Sequence, residues 1–128
     1  MNWKADAHNA LRGACASIDA KDFRRVVLLL DDATNLIAQG HLIERHANPV
    51  SGRDGRAAPV PQYLRAMVSG GDPQTTKRML RILLYLHEIR NALVHQINTE
   101  IKVTRNECLK FLNEVISFAG FYGVRLQP

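Results

Sequence analysis

The sequence predicts an all-α protein, an antiparallel bundle of about four to five helices formed by residues 1–128 as one domain. Three observations predict it. Apolar residues recur at three- and four-residue intervals through several long segments, which is the period of a helix with one buried face. Helix-capping signals sit at the ends of those segments. No segment sustains the two-residue alternation of a half-buried strand with turn chemistry at its ends. Short connections between long amphipathic helices favour antiparallel neighbours.

The first helix is expected over about 3–17, rich in alanine and weakly patterned. The second and longest runs over about 20–46, with Phe23, Val26, Val27, Leu30, Ala33, Ile37 and His41 at helical spacing. Leu28, Leu29 and Leu36 add apolar surface outside that stripe. A helix apolar on more than one face is buried on more than one face, so this one sits at the bundle's centre or meets a second subunit. Residues 48–61 hold two glycines and three prolines, which breaks any helix there. A short helix is expected over about 61–69, ended by Gly70-Gly71. The fourth helix has a clear start, with Asp72 as N-cap and Pro73 in the first turn, and runs to about Gln96. Its core stripe is Met79, Ile82, Leu83, Leu86, Leu93 and Ile97. The last helix opens on Thr104-Arg-Asn-Glu107, a capping box, with Leu109, Leu112, Val115, Ile116 and Ala119 as its expected inner face.

Composition bounds the functional classes. The chain has 128 residues, 46% hydrophobic and 23% charged, enough apolar material for a core without disulfides or metal. Cys15 and Cys108 are far apart and form no CxxC, so they read as reduced packing residues. The polar opening Met1-Asn2-Trp3-Lys4 does not read as a signal peptide, and no apolar run reaches the roughly 18 to 20 residues of a membrane span. The expectation is a complete, cytoplasmic gene product that does not engage the membrane. The net charge of +5 is compatible with a polyanionic partner and equally with ordinary solubility charge.

Most chemical motifs are missing. Gly70-Gly71 belongs to no nucleotide-binding glycine pattern. His41 and His46 lie five apart, point away from each other on a helix, and lack a HExxH frame, so they read as surface or core-edge residues. No cofactor and no metal is expected. Asp31 and Asp32 are adjacent and point differently, making a weak acid pair, one of which can meet an arginine from another helix.

The fourth helix is different. His87, Asn91 and His95 fall at i, i+4 and i+8 and share a face, while Arg90 lies about 100° round from Asn91, towards the seam with Leu86 and Leu93. An arginine on a core-facing stripe is costly unless paired or facing a cleft. One account is a polar network tying the bundle together, with Arg90 paired to Asp31, Asp32 or Glu88. The other is a site.

The run Arg90-Asn91-Ala92-Leu93-Val94-His95 resembles the signature of the HEPN family, an arginine followed by a polar residue and, after a short spacer, a histidine. The resemblance implies a small helical bundle with the motif near the end of a long, late helix. It also implies a metal-independent endoribonuclease, used as a toxin or phage-defence effector in a prokaryote, or an inactive relative that binds RNA, a nucleotide or a protein. Under it, His95 is the general acid/base, Arg90 stabilises phosphate charge, and Asn91 supports the site by orienting His95 or donating to phosphate. His87, Asp31 and Asp32 are supporting residues, and Arg53, Arg56 and Arg65 are candidate contacts to the RNA backbone. The chemistry suits these residue types: histidine titrates near neutrality and can move a proton, and arginine presents a fixed, charged fork to phosphate. One motif supplies one histidine, so the resemblance implies a homodimer with two motifs facing one cleft, and it allows an antitoxin or other protein partner. Some toxins of the family carry a tyrosine two residues after the histidine; here that position is Ile97, which departs from the pattern.

Overall fold

A computed structural model describes residues 2–44, 73–95 and 101–126 of the chain. Four helices form an all-α bundle: α1 (Trp3–Asp19), α2 (Phe23–Glu44), α3 (Pro73–His95) and α4 (Arg105–Phe121). No strand occurs among the described residues. The expected loop 48–61, the short helix 61–69, Gly70-Gly71, Asp72, His46 and Ile97 lie outside them.

The helices run alternately up and down. Trp3 at the start of α1 donates its indole N–H to Glu44 at the end of α2, at 2.7 Å. His87 and Leu93 on α3 meet Asp31 and Arg24 on α2 in reverse order. Tyr85 meets Phe111 while Arg78 meets Glu114, so α4 reverses direction again. α2 and α4 each pack on the other three helices, whereas α1 and α3 do not pack on each other among the described residues. This places the α2–α4 pair at the centre of the bundle.

Local chemistry explains each end. Asn2 caps α1 by accepting from the Ala5 N–H. Thr104 and Glu107 form the expected capping box at α4. The turn from α1 to α2 is a Schellman motif: the Asp22 N–H bonds to the Ser17 carbonyl and the Lys21 N–H to that of Ile18. Its left-handed position is held by Lys21, at φ 59°, where glycine is the usual occupant.

Two sequence expectations need correction. α1 is sharply patterned: Trp3, Ala7, Leu11, Ala14 and Ile18 are all buried. Its pattern escapes notice because two of the five positions are alanines, and those small side chains let α2 approach closely. The inner face of α4 is turned from the expected one: Cys108, Phe111, Val115, Phe118 and Ala119 are buried, with Leu109, Leu112 and Ile116 half-buried on the flanks. The two phenylalanines take the interior because burying an aromatic ring removes more apolar area than burying a leucine. Both cysteines are free; Cys108 is buried with its thiol 3.7 Å from the Phe23 carbonyl, and burial pushes its pKa to about 11.

The surplus leucines of α2 are mostly used within the chain. Leu29 and Leu36 pack against the core, Leu29 directly over Gly13 of α1, while Leu28 stays half-buried. Gly40 of α2 sits against the Trp3 indole so closely that a β-carbon there would overlap the ring. Gly120, by contrast, faces open space. Gly40→Ala should therefore lower stability by about 1–3 kcal/mol through overpacking, whereas Gly120→Ala should leave it unchanged or raise it by up to about 1 kcal/mol through helix propensity. Urea denaturation of the two variants checks the contrast; equal effects would mean that α1 and α2 are not in register at Trp3.

Candidate functional site

The site is assembled where the second half of α3 lies along α2. Leu83, Leu86 and Leu93 are buried and fix α3 on the core. That registration carries His87 and Arg90 to Asp31, which lies on α2 with only 4% of its surface exposed. His87 Nδ1 is 3.1 and 3.2 Å from the two Asp31 oxygens. Arg90 Nε is 3.7 Å from Asp31 Oδ2, and Arg90 Nη1 donates to Asn91 Oδ1 at 3.0 Å. The Arg90 side chain is about one-third exposed (33%).

A buried carboxylate needs cations and donors around it. Burial raises the pKa of Asp31, opposed by the neighbouring His87 and Arg90 and reinforced by Asp32. Burial also raises that of Asp32, with Arg90 again opposing. When Asp31 is ionised it can only accept, and the contact then requires the proton on Nδ1 of His87. Arginine has five N–H donors in a rigid fork; Asn91 accepts from one of them, while Asp31 at 3.7 Å is an ion-pair partner beyond hydrogen-bond distance.

His95 closes α3 and is exposed, with no hydrogen bond or ion pair among the described residues. Asn91 makes no hydrogen bond to it among the described residues; its side-chain oxygen accepts from Arg90 instead. Asp31 is the acid that meets the arginine, while Asp32 is turned outward and exposed. Arg53, Arg56 and Arg65 lie outside the described residues. His41 is half-buried, edge-on to Tyr122 with ring centroids 4.5 Å apart. Among the described residues no three His, Cys, Asp or Glu side chains gather as a metal ion would require, and no helix is long and apolar enough to cross a membrane.

Two residues of this region were not legible beforehand. Arg24 on the first turn of α2 donates to the Leu93 carbonyl at 3.2 Å, satisfying an end carbonyl of α3 two residues before His95. Asn35, one turn beyond Asp31, buries its side-chain oxygen without a hydrogen-bond partner among the described residues. Both signals are tertiary. An exposed arginine and a helical asparagine look ordinary in sequence.

No match emerges from comparison with protein-family models, curated proteins or solved structures.

The raised pKa of Asp31 makes a signed prediction. A carboxyl group that holds its proton more tightly folded than unfolded stabilises the fold below its unfolded pKa, and that contribution disappears as pH rises through the folded value. Asp31→Asn lacks this ionisation. The stability difference, wild type minus Asp31→Asn, should fall as pH rises from about 4 to 7, as measured by urea midpoints. A difference that instead grows with pH would show that pairing with Arg90 and His87 outweighs burial.

Proposed function

We propose that the protein is a metal-independent endoribonuclease in which the Arg90-Asn91-x-x-x-His95 segment acts on RNA. The observation that carries this reading is the contrast between its two ends. Arg90 is held by Asp31 and Asn91 yet a third of it reaches solvent, while His95 stands exposed at the tip of the same helix. One group is a positioned, permanent cation, the other an accessible proton carrier.

The reaction needs a base, an acid and a cation at the phosphate. A base takes the proton of a 2′-hydroxyl, and the oxygen attacks the adjacent phosphorus. The bond from phosphorus to the 5′-oxygen breaks, and an acid returns a proton to that oxygen. The products are a 2′,3′-cyclic phosphate and a 5′-hydroxyl. Arg90 stabilises the charge that grows on the phosphoryl oxygens, and His95 moves the proton. Asn91 and Asp31 hold Arg90 in place. Two proton transfers favour two histidines, so the active form in this reading is a homodimer with the motifs face to face, and the resemblance noted above points to a prokaryotic toxin or defence effector with an antitoxin or other regulator.

A second reading has its own support. The convergence of His87 and Arg90 on a carboxylate that is only 4% exposed is what a purely structural network requires. In that case the domain is a binding module or adaptor without catalysis.

His95→Ala separates the two. Because His95 is exposed and unbonded, the variant should melt with the wild type but lose at least about 100-fold in RNA cleavage, the usual loss when a general acid/base is removed. Cleavage by the wild type should survive excess EDTA and leave 2′,3′-cyclic phosphate ends. Wild-type protein that leaves RNA intact, or activity that returns only with magnesium or manganese, would reject the proposal. Arg90→Ala is a poorer probe, since it strips a cation from buried Asp31 and should cost stability.

The homodimer is tested separately. Light scattering should give twice the 14.4 kDa chain mass. Adding excess His95→Ala protein to wild type should depress activity beyond simple dilution as subunits exchange. A fully active monomer would reject the two-motif site and leave His87 as the second proton carrier.

A further inference from the structure

A depression of about 560 Å³ lies at the end of the bundle where α3 finishes, between the α1–α2 turn and residues 101–104, which lead into α4. Lys21, Arg24 and Lys102 line it, with Asp22 as the one acidic residue, so its lining carries three positive charges against one negative. The Asp22 carboxylate is partly committed, since it accepts from the Arg25 N–H at 3.3 Å. Arg25 and Arg105, both exposed, flank it. Another cleft of comparable size, between α3 and α4, is bordered by Arg81 and Lys110 against Glu88 and Glu107, and its charges cancel. Of these two clefts the depression is the positive one, and Arg24 ties its rim to the last turn of α3 through the Leu93 carbonyl.

Lys21 adds an independent argument. It occupies the left-handed position of the Schellman turn at φ 59°, where glycine would sit without strain. The turn's backbone hydrogen bonds, Asp22 N–H to Ser17 and Lys21 N–H to Ile18, do not need a side chain at this residue. The lysine side chain is therefore not required by the turn, and Lys21 lines the depression.

We propose that this depression binds the phosphodiester backbone of single-stranded RNA and leads it to His95. The inference rests on the ribonuclease reading for its ligand, and it assigns the backbone contacts to Lys21, Arg24 and Lys102. Lysine and arginine give binding without sequence preference, because they meet phosphate and not base edges.

The test uses protein carrying His95→Ala, so that RNA stays intact, and a fluorescein-labelled oligoadenylate RNA dodecamer read by anisotropy. In that background Lys21→Gly and Lys102→Gln should each raise Kd roughly threefold and together roughly tenfold, and each should flatten the dependence of log Kd on log salt by about 0.7. Lys21→Gly should melt no lower than its parent, an outcome that separates lost binding from lost folding. Lys110→Gln, which removes the same charge from the other cleft, should leave Kd within experimental scatter of the parent. Unchanged Kd in the double variant, or an equal loss in Lys110→Gln, would overturn the proposal. The two readings fail separately. If wild-type protein does not cleave RNA but binds the dodecamer through Lys21 and Lys102, only the ribonuclease reading falls. If it cleaves while the lysine variants bind and cleave normally, only this assignment falls.

Discussion

α2 is covered by three other helices, and a helix so covered can carry a carboxylate inward only if cations come with it. Asp31 is that carboxylate. Its partners, His87 and Arg90, both come from α3, one turn apart on the same side of that helix. The pairing thereby sets the rotation of α3 about its axis as well as its height along α2. A leucine seam alone would tolerate some sliding. A buried ion pair does not, since displacement by one residue would leave the carboxylate uncompensated.

The remaining features of the candidate site follow from that constraint. With Arg90 turned toward Asp31, its neighbour Asn91 is close enough to accept from Nη1. With α3 held at this height, its last turn reaches the first turn of α2, where Arg24 meets the Leu93 carbonyl. His95 then falls beyond the packed region and is exposed. The same interactions that hold the bundle together also present one cation and one histidine at its end. This is why structural and catalytic readings share so many residues, and why His95, which takes no part in packing, is the residue that distinguishes them.

Charge is unevenly placed on this frame. The net charge of +5 is modest for the whole chain. At the end of the bundle near His95, however, Lys21, Arg24 and Lys102 surround one depression, whereas the cleft between α3 and α4 is neutral on balance.

The sequence by itself determined the helical class, the approximate limits of four helices, the capping box at Thr104 and the motif on α3. Each of these depends on residues within a few positions of one another, where periodicity and capping chemistry act. It also identified the polar group of His87, Arg90 and Asn91 as anomalous, because charge on an apolar stripe is visible locally. Tertiary structure alone decided what these groups meet. Asp31 and Asp32 are equivalent in sequence, and only the packing angle between α2 and α3 turned Asp31 inward and left Asp32 exposed. The buried face of α4 depended on which rings best filled the space beside α2 and α3, and local spacing does not encode that volume. Leu29 of α2 was drawn against the core by the close approach of α1 at Gly13. Arg24 and Lys102 met at one depression because α2 and α4 begin at the same end of the bundle, a consequence of chain direction that no local pattern reveals.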